Sequence, residues 1–299
     1  MQADFPRIID STIRKDLAGC YAKAYYGFFE NLKPNKVNVH LYFGGCFAKG
    51  LEEFRKAFWQ DKRSLEESYN IGLFEIIKAW GEVDIDHPTK SLSGALWAFD
   101  SYIQQYPPET EKIIPMMIDG KAAVEFTFAL PIPNCFHPQD GQPILYAGRF
   151  DMLGEYRSSA YIVDEKTTGS LGDSWRKNFT LSSQMTGYSW CCREYGFKVG
   201  GIIIRGLGIL KGSITHLQLV EQRSDWMIDR WLNQLSLDVN RAIEIWKRGE
   251  AGMEYNLDNE CSAYGGCPYM DLCLSKNPHL LKSSYIVRGW NPLEKLGVA

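Results

Sequence analysis

The stretch Gly148–Lys166, GRFDMLGEYRSSAYIVDEK, predicts a β-hairpin whose second strand ends in a cluster of charged residues. Two runs of apolar residues flank a polar turn, which is the pattern of paired antiparallel strands. Alternate residues of a strand share a face, so Asp164 and Lys166 are expected to point to one side and Glu165 to the other. Asp151 belongs to the first strand, where it can lie across from Asp164.

Two carboxylates and an ammonium group in one patch form the side-chain set of a Mg²⁺- or Mn²⁺-dependent phosphodiesterase. The carboxylates bind the hard cation, the metal activates a water and polarises the phosphate, and a lysine steadies the developing charge. The alternative for Asp164 and Lys166 is a cross-strand ion pair at a sheet edge. A second Asp-x-Lys triplet, Asp119–Lys121, has the pattern of an ordinary turn, so the triplet alone does not establish a site.

The composition indicates a folded protein without an overall basic field. The chain has 299 residues, of which 45% are hydrophobic and 13% aromatic, enough for a packed core in one large domain. The formal net charge is −3, so DNA binding would need a local basic groove. Candidate backbone contacts are Lys177, Arg193, Lys198 and Arg205, each of which has a solvated surface charge as the alternative.

The sequence also favours a cytoplasmic protein. The N-terminal residues show no apolar signal core, and no apolar run approaches the roughly 20 residues of a membrane helix. In that compartment the eight cysteines indicate a metal site rather than disulfides.

Periodicity predicts an α/β fold with a mixed central sheet flanked by helices. Helices are predicted over 11–32, 47–59, 65–80, 91–106, 174–195 and 225–247, and strands over 37–43, 122–130, 199–210 and 214–220, with the hairpin turn at 154–159. The predicted organisation is one domain, 1–299, with a mainly helical part, 1–115, an α/β core, 116–250, and a cysteine-containing tail, 251–299, that packs on the N-terminal helix. The segment PIPNCFHPQDGQP is expected to be a loop, with Cys135 a loop thiol and His137 a surface imidazole.

Three further polar residues are candidates for the site. Glu125 interrupts an apolar strand, so it faces either solvent or a site. Gln184 and Tyr188 are spaced i,i+4 and share a helix face, where they can contact a nucleic-acid backbone or the metal's water shell, or simply face solvent.

Three cysteines, Cys261, Cys267 and Cys273, fall within thirteen residues and have the pattern of a metal-binding loop. Zinc sites usually have closer pairs, and iron–sulfur clusters need four thiolates, so a fourth ligand is missing from this stretch. Cys20 follows the apolar pattern of the first helix and reads by itself as a buried structural thiol.

Taken together, these motifs resemble the PD-(D/E)XK nuclease superfamily, in particular its RecB-type branch. That branch includes phage-encoded exonucleases and CRISPR-associated adaptation nucleases with a four-cysteine cluster. GRFDML matches the G-x-x-D strand, IVDEKTT the D-x-K strand and QMTGY the Q-x-x-x-Y motif. The resemblance implies that Asp151 and Asp164 are Mg²⁺ or Mn²⁺ ligands, that Lys166 is the catalytic lysine, and that Glu125, Gln184 and Tyr188 belong to the active site.

The resemblance also implies a [4Fe–4S] cluster on Cys20, Cys261, Cys267 and Cys273, which would join the two ends of the chain in a structural role. Zinc remains an alternative to the iron–sulfur cluster, because the spacing of the last three cysteines is wider than in the adaptation nucleases. The family commonly has a metal-binding histidine in its second helix, where this chain has Ala48.

The function that the resemblance implies is a metal-dependent DNA exonuclease with a restriction-endonuclease-like core, acting on ends or single strands. DNA is then its partner, with recombination or CRISPR-adaptation proteins as further partners, in the host cytoplasm if the chain is phage-encoded. The alternatives are a non-catalytic DNA-binding or assembly protein, which Ala48 favours, and a restriction-type endonuclease, against which the cysteines and the helical N-terminal part argue.

Overall fold

The computed structural model describes residues 3–257, 259–263 and 266–293. The helices are α1 (Ser11–Gly19), α2 (Tyr21–Ala24), α3 (Val39–Arg55), α4 (Leu65–Trp80), α5 (Leu92–Gln105), α6 (Asp173–Thr180), α7 (Ser183–Glu194), α8 (Asp225–Lys247), α9 (Asn259–Ser262), α10 (Met270–Leu274) and α11 (Pro278–Leu281). Single π-helical turns, Tyr25–Phe29 and Lys56–Gln60, continue α2 and α3. The strands are β1 (Ile8–Ile9), β2 (Leu32–Pro34), β3 (Ile114–Pro115), β4 (Met117–Ile118), β5 (Lys121–Ala122), β6 (Val124–Phe136), β7 (Pro143–Tyr156), β8 (Ser159–Thr168), β9 (Val199–Leu210), β10 (Ser213–Glu221) and β11 (Tyr285–Val287).

The chain forms two compact units, each made of separate stretches of sequence. The sheet unit comprises Val37–Thr127 and Arg149–Ile228. The terminal unit comprises the described residues of Met1–Lys36, Phe128–Gly148 and Asp229–Leu293. The division predicted at residues 115 and 250 was based on secondary-structure content along the sequence, whereas these two units are defined by compactness. The units therefore do not test that division, and it stays a prediction.

The sheet unit is a mixed α/β structure, which confirms the predicted fold class. Strand β7 is antiparallel to β8, β8 is parallel to β9, and β9 is antiparallel to β10. The parallel pair is joined through α6 and α7, as a parallel connection requires. Helices α3, α4 and α5 bury a large apolar cluster together with β9 and so cover the sheet; its residues include Phe43, Phe47, Phe54, Ile76, Phe99, Tyr102, Leu207 and Ile209.

The hairpin is tighter than predicted, and the strand before it is longer. The turn consists of Arg157 and Ser158 alone, both with positive φ (49° and 59°), the conformation that matches the twist of a two-residue hairpin. Strand β6 continues through Phe136, so the loop expected there begins later. Cys135 and His137 are buried, and His137 Nε2 lies 2.9 Å from the carbonyl oxygen of Phe5. The predictions of a loop thiol and a surface imidazole were therefore wrong.

Three helix boundaries also differ from the predictions. The first helix stops at Gly19 because Cys20 is extended (φ −152°, ψ 111°). The stretch predicted as extended, 37–43, is mostly helical because the Asn38 side chain caps α3 by accepting from two backbone N–H groups. The helix predicted over 174–195 is divided at Ser182, whose hydroxyl caps α7. Helices α4, α5 and α8 lie where they were predicted.

In the terminal unit, the first and last segments of the described chain are held by protein contacts. Strand β11 pairs with β2, with Ile286 opposite Lys33. The hydroxyl of Tyr269 donates to the Leu32 carbonyl at 2.7 Å, within a small apolar cluster that contains both residues. Trp290 Nε1 donates to Asp10 Oδ2 at 3.1 Å. This unit therefore has an apolar and hydrogen-bonded core of its own.

No helix in the part of the chain that the structure describes is long and apolar enough to cross a membrane.

Candidate active site and thiol pocket

The hairpin brings Asp151, Asp164 and Lys166 together. The two aspartates lie one position beyond the end of the β7–β8 ladder, where Met152 pairs with Val163: Asp151 precedes Met152, and Asp164 follows Val163. Asp151 Oδ2 accepts from the backbone N–H of Glu165 at 2.6 Å, which ties it to the neighbouring strand. Lys166 Nζ lies 2.5 Å from Asp164 Oδ2, with the lysine side chain 33% exposed and the aspartate 1% exposed. The three residues therefore form one patch, as the sequence predicted.

Asp164 has an incomplete set of partners for a buried carboxylate. Its Oδ1 atom is buried, and no described residue donates a hydrogen bond to it. A buried charged oxygen without a donor costs free energy, so such an atom needs an explanation. A bound cation or an ordered water is the kind of group that satisfies it.

Burial, together with repulsion between neighbouring carboxylates, raises the pKa of both aspartates. Burial raises the pKa of Asp151 well above its ordinary value, and the nearby carboxylates of Asp164 and Glu165 raise it further. Burial also raises the pKa of Asp164, against the opposing effect of Lys166. Burial opposes protonation of Lys166, but Asp164 and Asp151 outweigh it and raise its pKa. The site holds more negative charge than its lysine neutralises, which favours a cation.

Glu125 lies at the edge of this acidic group in a strained backbone conformation. Its φ is +52°, rare for a residue other than glycine inside a strand. Its side chain is 9% exposed, and its Oε2 lies 2.6 Å from Nε of Arg149. The pKa of Glu125 is raised to about 7, mainly by burial; Arg149 opposes this shift and Glu52 adds to it. Of the two alternatives left by the sequence, the structure shows the inward-facing one.

Gln184 and Tyr188 support the hairpin from helix α7. Gln184 Nε2 donates to the Tyr188 hydroxyl at 2.9 Å, and that hydroxyl donates to the carbonyl oxygen of Arg149 at 2.6 Å. The Tyr188 ring packs edge-on against Phe150, with 4.8 Å between the ring centroids. Tyr188 is 4% exposed, so it does not face solvent. The pair fixes the backbone of β7 two residues before Asp151.

Glu165 has a separate set of partners, as strand alternation predicts. Its carboxylate forms an ion pair with Arg55, and both side chains are 3% exposed. Tyr102 donates to Glu165 Oε1 at 2.7 Å and accepts from Arg205 Nη1 at 3.0 Å. Burial opposes ionisation of Glu165, but Arg55, Arg205 and Tyr102 together outweigh it and lower its pKa. Arg205, buried here and also paired with Glu111 at 2.6 Å, is not available as a DNA contact, so that prediction was wrong.

One acidic residue that the sequence analysis missed is Glu52, on α3. Its side chain is 5% exposed, it forms ion pairs with Lys49 and Lys56, and it raises the pKa of Glu125. The available indication was its position one helical turn after Ala48, on the same face. His40, eight residues before Ala48, is exposed and lies beside His87, with 5.6 Å between the ring centroids.

The terminal unit brings the four predicted cysteines into one pocket. Cys20, Cys261, Cys267 and Cys273 all line it, together with Lys23. Cys20 Sγ accepts from the backbone N–H of Asn256 at 3.4 Å, and Cys261 Sγ donates to the carbonyl of the same residue at 3.4 Å. Cys20 is thus a pocket thiol rather than a core residue of a helix.

The thiols influence one another electrostatically. Burial and, to a smaller extent, the other three thiols together raise the pKa of Cys273 to about 11. Burial likewise raises the pKa of Cys267, while Lys23 lowers it.

The two residue sets offer different donor atoms, carboxylate oxygens in one and thiol sulfurs in the other. Within residues 3–257, 259–263 and 266–293, no three His, Cys, Asp or Glu side chains converge closely enough to hold a metal ion. Mg²⁺ is commonly bound by one or two carboxylates with water completing its shell, so the aspartates fit it without a third ligand. Four thiols are the donor set of an iron–sulfur cluster or zinc, and here they share a pocket without closing on one point.

Comparison with known proteins shows a shared fold. No protein-family model and no curated protein matches the chain. The structure is similar to a crystal structure from Eubacterium rectale whose protein is provisionally named an exonuclease, with a TM-score of 0.50, 13% sequence identity, and coverage of 85% of this chain and 86% of that one. A second solved structure, of the protein SSO0001, aligns with a TM-score of 0.34 at 12% identity, over 78% of this chain and 77% of that one. The second likeness is too weak to support an argument.

Proposed function

We propose that this chain is a divalent-metal-dependent deoxyribonuclease, an exonuclease that hydrolyses phosphodiester bonds at DNA ends or on single strands. The buried Asp164 carboxylate carries the proposal, because its Oδ1 lacks a donor while Asp151 and Lys166 lie beside it. The charge excess of this site and the strained Glu125 next to it have no evident role in holding the fold together.

Each residue of the site has a specific task in this proposal. Asp151 and Asp164 hold Mg²⁺ or Mn²⁺, which when bound would polarise the phosphate and supply an activated water. Lys166, one-third exposed, orients that water and stabilises charge on the phosphate oxygens. Gln184 and Tyr188 keep β7 in place so that Asp151 stays beside Asp164.

The similarity in fold to the Eubacterium rectale protein supports a nuclease without specifying its substrate, since that protein is provisionally named an exonuclease. We further propose that Cys20, Cys261, Cys267 and Cys273 hold a [4Fe–4S] cluster, with zinc as the alternative metal. Such a group would fasten α1, α9 and α10 within the terminal unit, a structural role.

The test compares the two Asp-x-Lys triplets of the chain. Wild type, Asp164→Asn, Lys166→Ala and Asp119→Asn are incubated with Mn²⁺ and end-labelled single- and double-stranded DNA. We expect wild type and Asp119→Asn to shorten the DNA from an end, because Asp119 is an exposed turn residue whose conformation asparagine also adopts. Asp164→Asn should fall to background, and Lys166→Ala should lose about two to three orders of magnitude in rate.

Undiminished cleavage by both site variants would overturn the proposal. A wild type that binds DNA and never cuts it would support the non-catalytic alternative.

A further inference from the structure

Arg149 differs from the other arginines near the acidic site in how its donors are used. Its Nε lies 2.6 Å from Glu125 Oε2, and its side chain is 24% exposed. Across the described residues, no second hydrogen-bond acceptor is recorded for this guanidinium. By contrast, Arg55 and Arg205 are buried, and their donors go to Glu165, Glu111 and Tyr102. The Arg149 side chain is therefore partly exposed, and no described residue accepts a hydrogen bond from its two terminal nitrogens.

The position of Arg149 is fixed from two directions. Its carbonyl oxygen accepts from the Tyr188 hydroxyl at 2.6 Å, which holds the backbone. Its guanidinium is held by Glu125, whose carboxylate also acts on Asp151. Arg149 precedes Asp151 by two residues on the same strand, so its free donors lie at the border of the acidic site.

A cation at this border has an electrostatic purpose if the substrate is a phosphodiester. The carboxylates of Asp151 and Asp164 repel a phosphate group, and Lys166, which is paired with Asp164, offsets only one of their two charges. A planar guanidinium presents two parallel donors that match two phosphate oxygens, and its charge does not titrate.

We propose that Arg149 binds the non-bridging oxygens of a DNA phosphate next to the metal site, and that Glu125 is a positioning residue that orients the guanidinium. The inference rests on the proposed nuclease function and adds a substrate contact to it. It assigns Glu125 to Arg149, where the sequence analysis placed it among the catalytic residues.

The test pairs residue variants with single changes in the DNA backbone. Binding of a single-stranded oligonucleotide is measured with Ca²⁺ in place of Mn²⁺, while one neutral methylphosphonate linkage is moved stepwise from the end. For wild type we expect one linkage at which the substitution weakens binding about tenfold or more, the effect of a charge-assisted hydrogen bond. In Arg149→Gln that linkage should lose its special effect, and the slope of log K against log salt should decrease by about 0.7.

Three further variants separate the contact from general charge and from structure. Arg157→Gln changes an arginine of the hairpin turn, at the other end of the same hairpin, and should keep the wild-type profile. Glu125→Gln should keep the same sensitive linkage with a smaller effect, because the guanidinium is present and less well oriented. Arg149→Lys keeps the charge and should retain part of the effect, which covers the case in which Arg149→Gln fails to fold.

The outcomes distinguish the two proposals. If Arg149→Gln or the folded Arg149→Lys reproduces the full wild-type linkage profile, the inference is overturned while cleavage by wild type leaves the nuclease intact. If wild type binds DNA but never cuts it with Mn²⁺, the nuclease proposal fails, and the linkage profile still decides the role of Arg149. A wild type that binds no DNA overturns both.

Discussion

The carboxylate site and the thiol pocket rest on different kinds of support. Asp151 and Asp164 are carried by strands of 14 and 10 residues, and hydrogen bonds from Glu165 and Tyr188 fix the backbone around them. The pocket cysteines lie on helices of four and five residues or between elements, and three of the four are only half-buried. One site is positioned by secondary structure, while the other has little local structure to position it.

The difference determines what a bound metal would contribute in each place under the proposed function. In the carboxylate site the side chains are held together against their own repulsion, so a cation would relieve an electrostatic cost that the fold already bears. In the thiol pocket the ligands are near one another but not converged, so binding a cluster or zinc would supply ordering that short helices cannot provide. Removal of metal should therefore affect stability most strongly in the terminal unit.

The largest expected effect follows from removing one thiol. Cys20→Ser should abolish metal retention and destabilise the terminal unit, because structural zinc binding to thiolates has apparent free energies of about 10–16 kcal/mol. Iron and zinc per chain are measured on anaerobically purified protein, together with thermal unfolding. Cys135→Ala is the matched control, a buried thiol in the same unit outside the pocket, and should keep the wild-type metal content. Full metal occupancy in Cys20→Ser would contradict the proposed role of Cys20 as a ligand, and with it the comparison of the thiol pocket with the carboxylate site.

The next effect tests the rigidity of the carboxylate site. Glu165→Gln leaves Arg55 buried with an uncompensated charge, so we expect a loss of about 3–5 kcal/mol in the free energy of unfolding. Glu244→Gln, in an exposed pair with Lys247, should change it by less than about 0.5 kcal/mol. Urea unfolding measures both. A loss below about 1 kcal/mol for Glu165→Gln would mean that the buried network does not support β8.

A smaller effect is expected from the buried carboxyl group of Glu125 as pH rises. The folded pKa of Glu125, about 7, lies above its ordinary value of 4.5, so the folded chain keeps a proton that the unfolded chain has released. This contribution to stability is present below about pH 4.5 and is lost as pH rises to about 7. In metal-free protein, wild type should therefore lose at most about 3 kcal/mol relative to Glu125→Gln over this interval.

The measurement is urea unfolding of wild type and Glu125→Gln at several pH values with a chelator. Saturating Mn²⁺ should reduce the difference between the two curves, because a cation lowers the cost of ionised carboxylates. Parallel curves without metal would show that ionisation of the buried Glu125 does not affect stability.

The sequence predicted what depends on local patterns. The hairpin, helix α8 and the convergence of Asp151 with Asp164 follow from strand alternation and helical periodicity. The two-residue turn at Arg157 was missed because positive φ was not expected from Arg-Ser, a pair without glycine or asparagine.

The sequence could not reveal the contacts that join distant segments. Arg55 and Glu165 are 110 residues apart, and neither position shows in sequence that a buried partner exists. The same holds for Arg149. In the sequence it is one charged residue of a motif, and its contact with Glu125 through Nε appears only in the structure. Cys20 was placed inside a helix because an isolated extended residue between two helices leaves no periodic trace.

The smallest expected effect tests how far the support of the carboxylate site depends on one hydroxyl group. Tyr188→Phe removes the donor to the Arg149 carbonyl and the acceptor for Gln184, at a cost of about 1–2 kcal/mol in the free energy of unfolding. If that hydroxyl positions β7, DNA cleavage should also fall about tenfold, while the metal content of the thiol pocket stays at the wild-type level. Tyr195→Phe, at the exposed end of the same helix, should change neither quantity. Loss of stability with an unchanged cleavage rate would show that Tyr188 serves packing alone, and that the strands by themselves keep Asp151 in position.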